Sequence, residues 1–260
     1  MWPAPEVWCR RLRARLSRIV KLECWDLHLH LGRSRDGASF FLPQVRKTLN
    51  EHQISRAVLF AIDEVDAGPT YERSNDRVLK ASASDSRLIP FARLSPRTGN
   101  RAVAELHRSI HSGARGVKLH PRSEKFSPQE AEPLINEVEA EGLPVFLHTS
   151  HEKNCGPREW EKIFKRHRRT SFVLFHGGKD SYEKTITVAA RNRNVWVETS
   201  TLSYWRSGLI LRRLGASKVV FGSDLPYSHP AVERLKLDFL LNRSERKIVY
   251  SDNPKRILGE

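Results

Sequence analysis

Short, nearly unbroken apolar runs alternate with amphipathic stretches along almost the whole chain. The runs are Val20–His30, Ala57–Asp63, Leu88–Leu94, Gly116–His120, Pro144–Thr149, Ser171–His176, Val195–Thr199 and Lys218–Ser223. Strands of a parallel sheet, buried on both faces, read this way rather than as a polar–apolar alternation. Between them, Pro43–His52, Tyr71–Ser84, Ala102–Ser112, Pro128–Glu141, Pro157–His167, Tyr182–Arg191, Tyr204–Leu214 and Ala231–Leu241 carry helical patterning. Ser127-Pro128 opens one of these and Gly142 follows it; Gly215 closes another. Parallel strands need crossover connections, usually helices. Eight strand–helix units in 260 residues predict an α/β fold of the (β/α)8 TIM-barrel type, as one domain over residues 1–260. An open doubly wound sheet is the alternative, but no glycine-rich phosphate loop follows the first run. Residues 1–19 read as a helical N-terminal extension. Trp8, Leu12, Leu16 and Ile19 share one helical stripe with arginines on the other face. Packing of that stripe against the barrel is favoured over attachment to an anionic membrane surface.

Composition narrows the setting. Hydrophobic residues make up 39% and charged residues 29%, a globular balance. No apolar run approaches the roughly 18–20 residues that span a bilayer, and the arginine-rich start lacks the apolar core of a secretory signal. Cys9, Cys24 and Cys155 are widely spaced and form no CxxC pair. They argue against a disulfide framework and for a reducing, cytoplasmic compartment. The net charge of +15 raises nucleic acid, a membrane surface or an anionic substrate as partners. Its local clusters, Arg10, Arg11, Arg13 and Arg15, then Lys165 to Arg169, are not interleaved with aromatics as in a nucleic-acid module. No nucleic-acid partner is therefore expected. The oligomeric state is open, a homodimer included.

The polar exceptions to the apolar pattern carry the chemistry. Strict alternation in Asp26-Leu27-His28-Leu29-His30 puts Asp26, His28 and His30 on one strand face. Two imidazoles at i and i+2 can hold one metal ion from one side. In a barrel of this type the chemistry sits at the C-terminal ends of the strands. Those ends hold Arg93, Lys118 with His120, His148, His176-Gly177-Gly178, Glu198, and Ser223-Asp224-Leu225-Pro226. Imidazoles plus a carboxylate, with a position left for water, form the ligand set of a catalytic divalent metal. Cys155 follows the fifth run, but nothing beside it marks a nucleophile.

These pieces resemble the amidohydrolase superfamily, in the branch that includes aminocarboxymuconate-semialdehyde decarboxylase. The resemblance is carried by Asp-x-His-x-His, Gly116-Val117-Lys118-Leu119-His120-Pro121, Gly142 to His148, Phe175-His176-Gly177-Gly178, Phe221 to Pro226, and Asn253 to Leu258, in family order over about residues 20–260. It implies that His28, His30, His148 and Asp224 ligate one divalent ion, usually zinc, with Asp224 and His176 moving protons. A second metal through Lys118 and His176, with Lys118 carboxylated, occurs in other branches; one metal and an unmodified Lys118 are preferred here. Lys118, Arg93 and His120 would contact the substrate, and Glu198 would brace the site; the structural alternative pairs Arg93 with a carboxylate such as Glu198. The implied activity is hydrolysis of an amide, ester or lactone of a small anionic substrate by metal-activated water. Non-oxidative decarboxylation of an unsaturated carboxylate, a lyase reaction, is the alternative. A metal-dependent deoxyribonuclease ranks lower: those enzymes carry an acidic strand-4 ligand and Glu-Thr-Asp-Ser-Pro where this chain has Lys118 and Gly222-Ser223-Asp224-Leu225-Pro226. A non-catalytic binding scaffold ranks last, because no expected ligand is missing.

Overall fold

The computed structural model describes residues 22–64, 67–68 and 70–260, so the expected lead-in helix over 1–19 lies outside the described residues. The strands are Trp25–Arg33 (β1), Ser39–Phe40 (β2), Arg56–Ala61 (β3), Leu88–Pro90 (β4), Ala92–Arg93 (β5), Val117–Leu119 (β6), Val145–His148 (β7), Phe172–Phe175 (β8), Val195–Glu198 (β9) and Val219–Val220 (β10). β1, β3 and β4 form one parallel ladder, and β5 to β10 a second. β2 is a short antiparallel addition at the end of β1.

Two seams join the ladders into a barrel. At Phe91 the chain passes from β4 to β5 without leaving the sheet. Phe91 N donates to Leu59 O at 2.9 Å and Ala92 N to Gly116 O at 3.0 Å. At the other seam Leu27 N donates to Phe221 O and His30 N to Leu225 O, both at 3.0 Å, and Leu29 bridges Leu225 in parallel. The result is the (β/α)8 barrel that the alternating runs predict. No helix among the described residues is long and apolar enough to cross a membrane.

Side chains along each strand alternate between the two sides of the barrel wall, as the pleat requires. Val58, Phe60, Phe91, Phe146, Val173, Phe175, Trp196 and Val220 point inward and fill the interior. Leu119, Leu147, Leu174 and Val197 point outward under the helices, against Leu106, Ile135, Phe164, Val188 and Ile210. Ile257 and Leu258, from the helix Asn253–Leu258, join the interior cluster and plug its lower end.

β1 departs from strict alternation. Its register with β3 shifts between Asp26 and Leu29. Trp25 and Leu27 belong to the interior cluster, whereas Leu29 and Leu31 belong to an outer one. A bulge inserts one residue and flips the parity. Asp26 therefore does not share a face with His28 and His30, contrary to the alternation argument. Its Oδ1 instead accepts from His28 N at 3.0 Å and Ser223 N at 2.9 Å, tying the bulge to the far seam.

Two further elements differ from expectation. Only Glu161–Arg166 of the expected helix Pro157–His167 is helical. Glu159 spends its carboxylate on Asn154 N and Gly156 N, and Trp160 Nε1 donates to Asn154 O, so the preceding residues fold as a loop. A short helix, Pro121–Glu124, is added after β6, where Pro121 pre-sets the first helical turn.

The plug is clamped by buried Asn253, whose Nδ2 donates to Ala216 O and Val219 O, both at 2.8 Å. Asn253→Ala leaves two carbonyls without that donor. It is expected to lower unfolding free energy by about 1–3 kcal/mol, read from urea denaturation with an unchanged slope.

Candidate active site

The inward positions above the last apolar layer are polar. Arg93, Lys118, His148 and Glu198 occupy them on β5, β6, β7 and β9, and the bulge delivers His28 and His30 from β1. His176 follows β8, and Asp224 follows the seam after β10. All of these residues are buried. His28, His30, Arg93, Lys118, His120, His148, His176 and Asp224, the eight nominated from sequence, line one cavity of about 560 Å³.

Asp224 is the node. Its Oδ1 lies 3.0 Å from His28 Nε2 and 3.1 Å from His30 Nε2, and its Oδ2 lies 3.9 Å from His176 Nδ1. Donor atoms of His28, His176 and Asp224 all fall within 4.8 Å of one another. His28 Nε2, although 3.0 Å from the carboxylate, has no hydrogen-bond partner, and neither have the buried His30 Nδ1 and His148 Nε2. Buried polar atoms left this way are costly. An ion among them removes the cost, and imidazole nitrogens with a carboxylate oxygen fit a divalent metal of the zinc type. His148 is in the cavity but stands apart from the compact group. Its ring stacks on His120 at 3.9 Å between centroids and lies 4.9 Å from the His176 ring.

A shell of hydrogen bonds orients these groups. Glu198 Oε2 lies 3.1 Å from His28 Nδ1, accepts from His176 N at 3.2 Å and accepts from Ser200 Oγ at 2.8 Å; Ser200 N donates to the other oxygen. Ser200 Oγ also lies 3.2 Å from His176 Nδ1. A carboxylate on Nδ1 fixes the tautomer and leaves Nε2 as the lone-pair nitrogen. Gly222 makes the His28–Glu198 contact possible sterically. A Cβ there would sit 2.6 Å from His28 Cβ and 2.9 Å from Glu198 Cγ. His176 and Asp224 both hold left-handed backbone, at φ 61° and 55°, a strain that persists only where the surroundings enforce it.

The electrostatics suit metal ligation. Burial drives His148 and His120 well below the ordinary imidazole range, with neighbouring positive groups adding to the effect. Burial likewise takes His30 to about 4 and His176 to about 3. These imidazoles are neutral at pH 7, the state that binds metal. Burial opposes charge on His28, yet Asp224 and then Glu198 raise it. Burial opposes ionisation of Asp224, but His28 and His176 beside it hold it well below the usual carboxylate value.

Arg93 is engaged within the protein. Its Nε donates to Glu124 Oε1 at 2.9 Å, a terminal nitrogen lies 2.8 Å from the same oxygen, and the guanidinium stacks on Tyr71 at 4.8 Å. The partner is Glu124, not Glu198. Glu124 also accepts from Tyr71 OH at 3.0 Å and His120 N at 2.9 Å. His120 Nδ1 accepts from Ser123 N at 3.2 Å. Lys118 Nζ lies 3.8 Å from the Phe175 ring centre, and burial, with Arg93 near, brings it well below its ordinary value. Glu124, Tyr71, Ser200 and Tyr227, the last of which lines the cavity and donates from its OH to Ser34 Oγ at 2.8 Å, escaped sequence reasoning. They lie on loops and helix starts where no periodicity marks them; the Asp-x-His-x-His neighbourhood gave no signal for them. Cys155 is buried, does not line the cavity, and has its thiol pushed up to about 11 by burial.

A family model described as Amidohydrolase matches residues 25–259. No curated protein matches the chain. Among solved structures, 2,6-dihydroxybenzoate decarboxylase from Rhizobium is 15% identical, with 91% of this chain and 98% of that one covered and a TM-score of 0.71. A candidate 2-pyrone-4,6-dicarboxylic acid hydrolase from Pseudomonas putida is 18% identical, with 92% and 98% covered and a TM-score of 0.68. A dihydroxybenzoic acid decarboxylase from Polaromonas sp. JS666, solved with manganese and the inhibitor 2-nitroresorcinol, is 14% identical, with 91% and 97% covered and a TM-score of 0.69. At these identities the likeness is one of fold.

Gly222→Ala is expected to push His28 and Glu198 apart. The cost in unfolding free energy should be about 1–3 kcal/mol. Zinc retention after dialysis should fall in the same variant while far-ultraviolet circular dichroism stays unchanged.

Proposed function

The chain belongs to the amidohydrolase family, and from that premise we propose that it is a metal-dependent hydrolase of a small anionic substrate, an amide, ester or lactone, working as a single catalytic domain. One observation carries the reading: a single buried carboxylate, Asp224, is shared by His28 and His30 at the floor of a cavity where two further imidazole nitrogens, His30 Nδ1 and His148 Nε2, lack partners. His28, His30, His148 and Asp224 would hold one divalent ion, zinc in preference to manganese. His176 takes part in proton transfer, or in a two-metal variant joins Lys118 around a second ion. Bound there, the ion supplies Lewis acidity and acidifies water towards a pKa of about 7.

The protein's own groups do the rest. Glu198 holds the His28 ring by Nδ1 and so aims Nε2 at the centre. Asp224, kept ionised, is the base whose Oδ2 takes a proton and returns it to the leaving group. His176, neutral and set by Ser200, stands 3.9 Å from that oxygen and relays the proton through substrate or water rather than directly. His120 and Lys118 meet the substrate on the side of the cavity away from Asp224. Arg93 acts through Glu124, which it holds against the backbone of His120. Two free, buried cysteines, Cys24 and Cys155, agree with a cytoplasmic setting. Decarboxylation of an unsaturated carboxylate is the second reading, favoured by solved neighbours of the same fold that carry that activity in their names.

Elemental analysis of the purified protein should give one divalent ion per chain, and His28→Ala/His30→Ala should reduce it to background. Full occupancy in that double variant sinks the assignment. In a screen of lactones, N-acyl amino acids and unsaturated dicarboxylates, Asp224→Asn should lower kcat/KM by about 10²- to 10⁴-fold. Incorporation of ¹⁸O from labelled water supports hydrolysis; carbon dioxide release without it transfers the assignment to decarboxylation.

A further inference from the structure

The cations that line the cavity are not equivalent. Arg93 is neutralised by Glu124, Arg35 lies 3.5 Å from Asp63, and Arg122 lies 3.1 Å from Glu152. Lys118 is enclosed by the Phe60 and Phe175 rings at the floor. Lys179 also lines the cavity, is half-buried, and has no carboxylate at ion-pair distance among the described residues. The acid beside it, Asp180, is occupied by Arg206 at 2.8 Å and His151 at 3.4 Å. Among the described residues, Lys179 is thus the cavity-lining cation with neither a carboxylate partner nor an aromatic enclosure.

Its backbone is the second observation. His176, Gly177, Gly178 and Lys179 form a run of four positive φ values, 61°, 50°, 78° and 50°. The two glycines are wedged. A Cβ on Gly177 would reach Leu202 at 2.7 Å, and one on Gly178 would reach Thr185 at 2.3 Å. Lys179 itself sits at φ 50°, ψ −117°, a region that glycine occupies freely and other residues only under strain. A third glycine would relieve the backbone. The strained position holds a lysine instead, and it is carried at the rim of the site by the same turn that sets His176.

We propose that Lys179 is the residue that captures the anionic end of the substrate, a carboxylate, at the cavity rim and so sets specificity for charged over neutral substrates. The proposal rests on the cavity being the substrate site. It replaces Arg93, whose charge is spent on Glu124. An ammonium acts here as a point charge with three donors and needs no fixed carboxylate plane. It holds the carboxylate at the mouth, which leaves the rest of the substrate to reach Asp224.

The test is calorimetric titration of purified, metal-loaded protein with 2,6-dihydroxybenzoate and with resorcinol, which differ by the carboxylate alone, at low and at physiological salt. No turnover is needed, so an inactive protein that still selects the carboxylate through Lys179 separates this proposal from the catalytic one. Wild type should prefer the carboxylate, and the preference should shrink with salt. Lys179→Met and Lys179→Gly should each weaken carboxylate binding roughly tenfold or more and leave resorcinol binding unchanged; Lys179→Arg should retain the preference. Lys179→Gly should in addition unfold at a higher temperature than wild type, an outcome that a lysine kept for stability would reverse. Equal binding of the two ligands by wild type, or an undiminished preference in both Lys179→Met and Lys179→Gly, overturns the proposal.

Discussion

The site depends on how the barrel closes. The first strand and the segment after the last one meet through few contacts, and the carboxylate of Asp26 is central to them. One oxygen of that buried group accepts from the backbone of His28 and of Ser223. The first hydrogen bond stabilises a bulge that turns His28 into the barrel. The second fixes the chain immediately before Asp224. One carboxylate from one end of the sequence is thereby set within about 3 Å of each of two imidazoles from the other. Burial pushes the Asp26 carboxyl up to about 6, against the hydrogen bonds from Ser223 and His28. A group with such opposing influences is costly to bury, which marks it as structural rather than incidental.

The same economy runs through the polar layer. Each carboxylate of the polar layer faces a basic group: Glu198 with His28, Glu124 with Arg93, Asp224 with three histidines. Desolvation then decides protonation. Burial lowers His30, His120, His148 and His176, even where Asp224 is close, and only His28, held between Asp224 and Glu198, is raised. This division gives the cavity a set of uncharged nitrogen donors around a single anionic oxygen. It arises from where the carboxylates sit, not from any property of the histidines themselves.

The barrel was legible in the sequence because parallel strands buried on both faces leave long apolar runs, and eight of them recur at regular spacing. The cavity-lining histidines were legible because a polar residue that ends such a run has few structural reasons to be there. What escaped had no periodic signature. The bulge in β1 breaks alternation at one residue, and nothing in Asp26 to His30 announces it; strict period-2 logic therefore put Asp26 on the wrong face. Glu124 lies on a four-residue helix that no apolar stripe predicts, so the neutralisation of Arg93 was invisible until the loop was seen. Gly222 was read as part of a motif, whereas its physical reason is the absence of a Cβ between His28 and Glu198.

The hydrogen bond between Asp26 and Ser223 joins positions 197 residues apart. Contacts of that span pay their loop-closure entropy last. On a ribosome, the histidines of the first strand emerge early and must wait, in a barrel open along one side, for the carboxylate that completes them. During that interval the inward faces of β1 and β3 are exposed. The order of synthesis thus makes the first and last strands, rather than the helices, the step at which a nascent chain commits to a closed barrel.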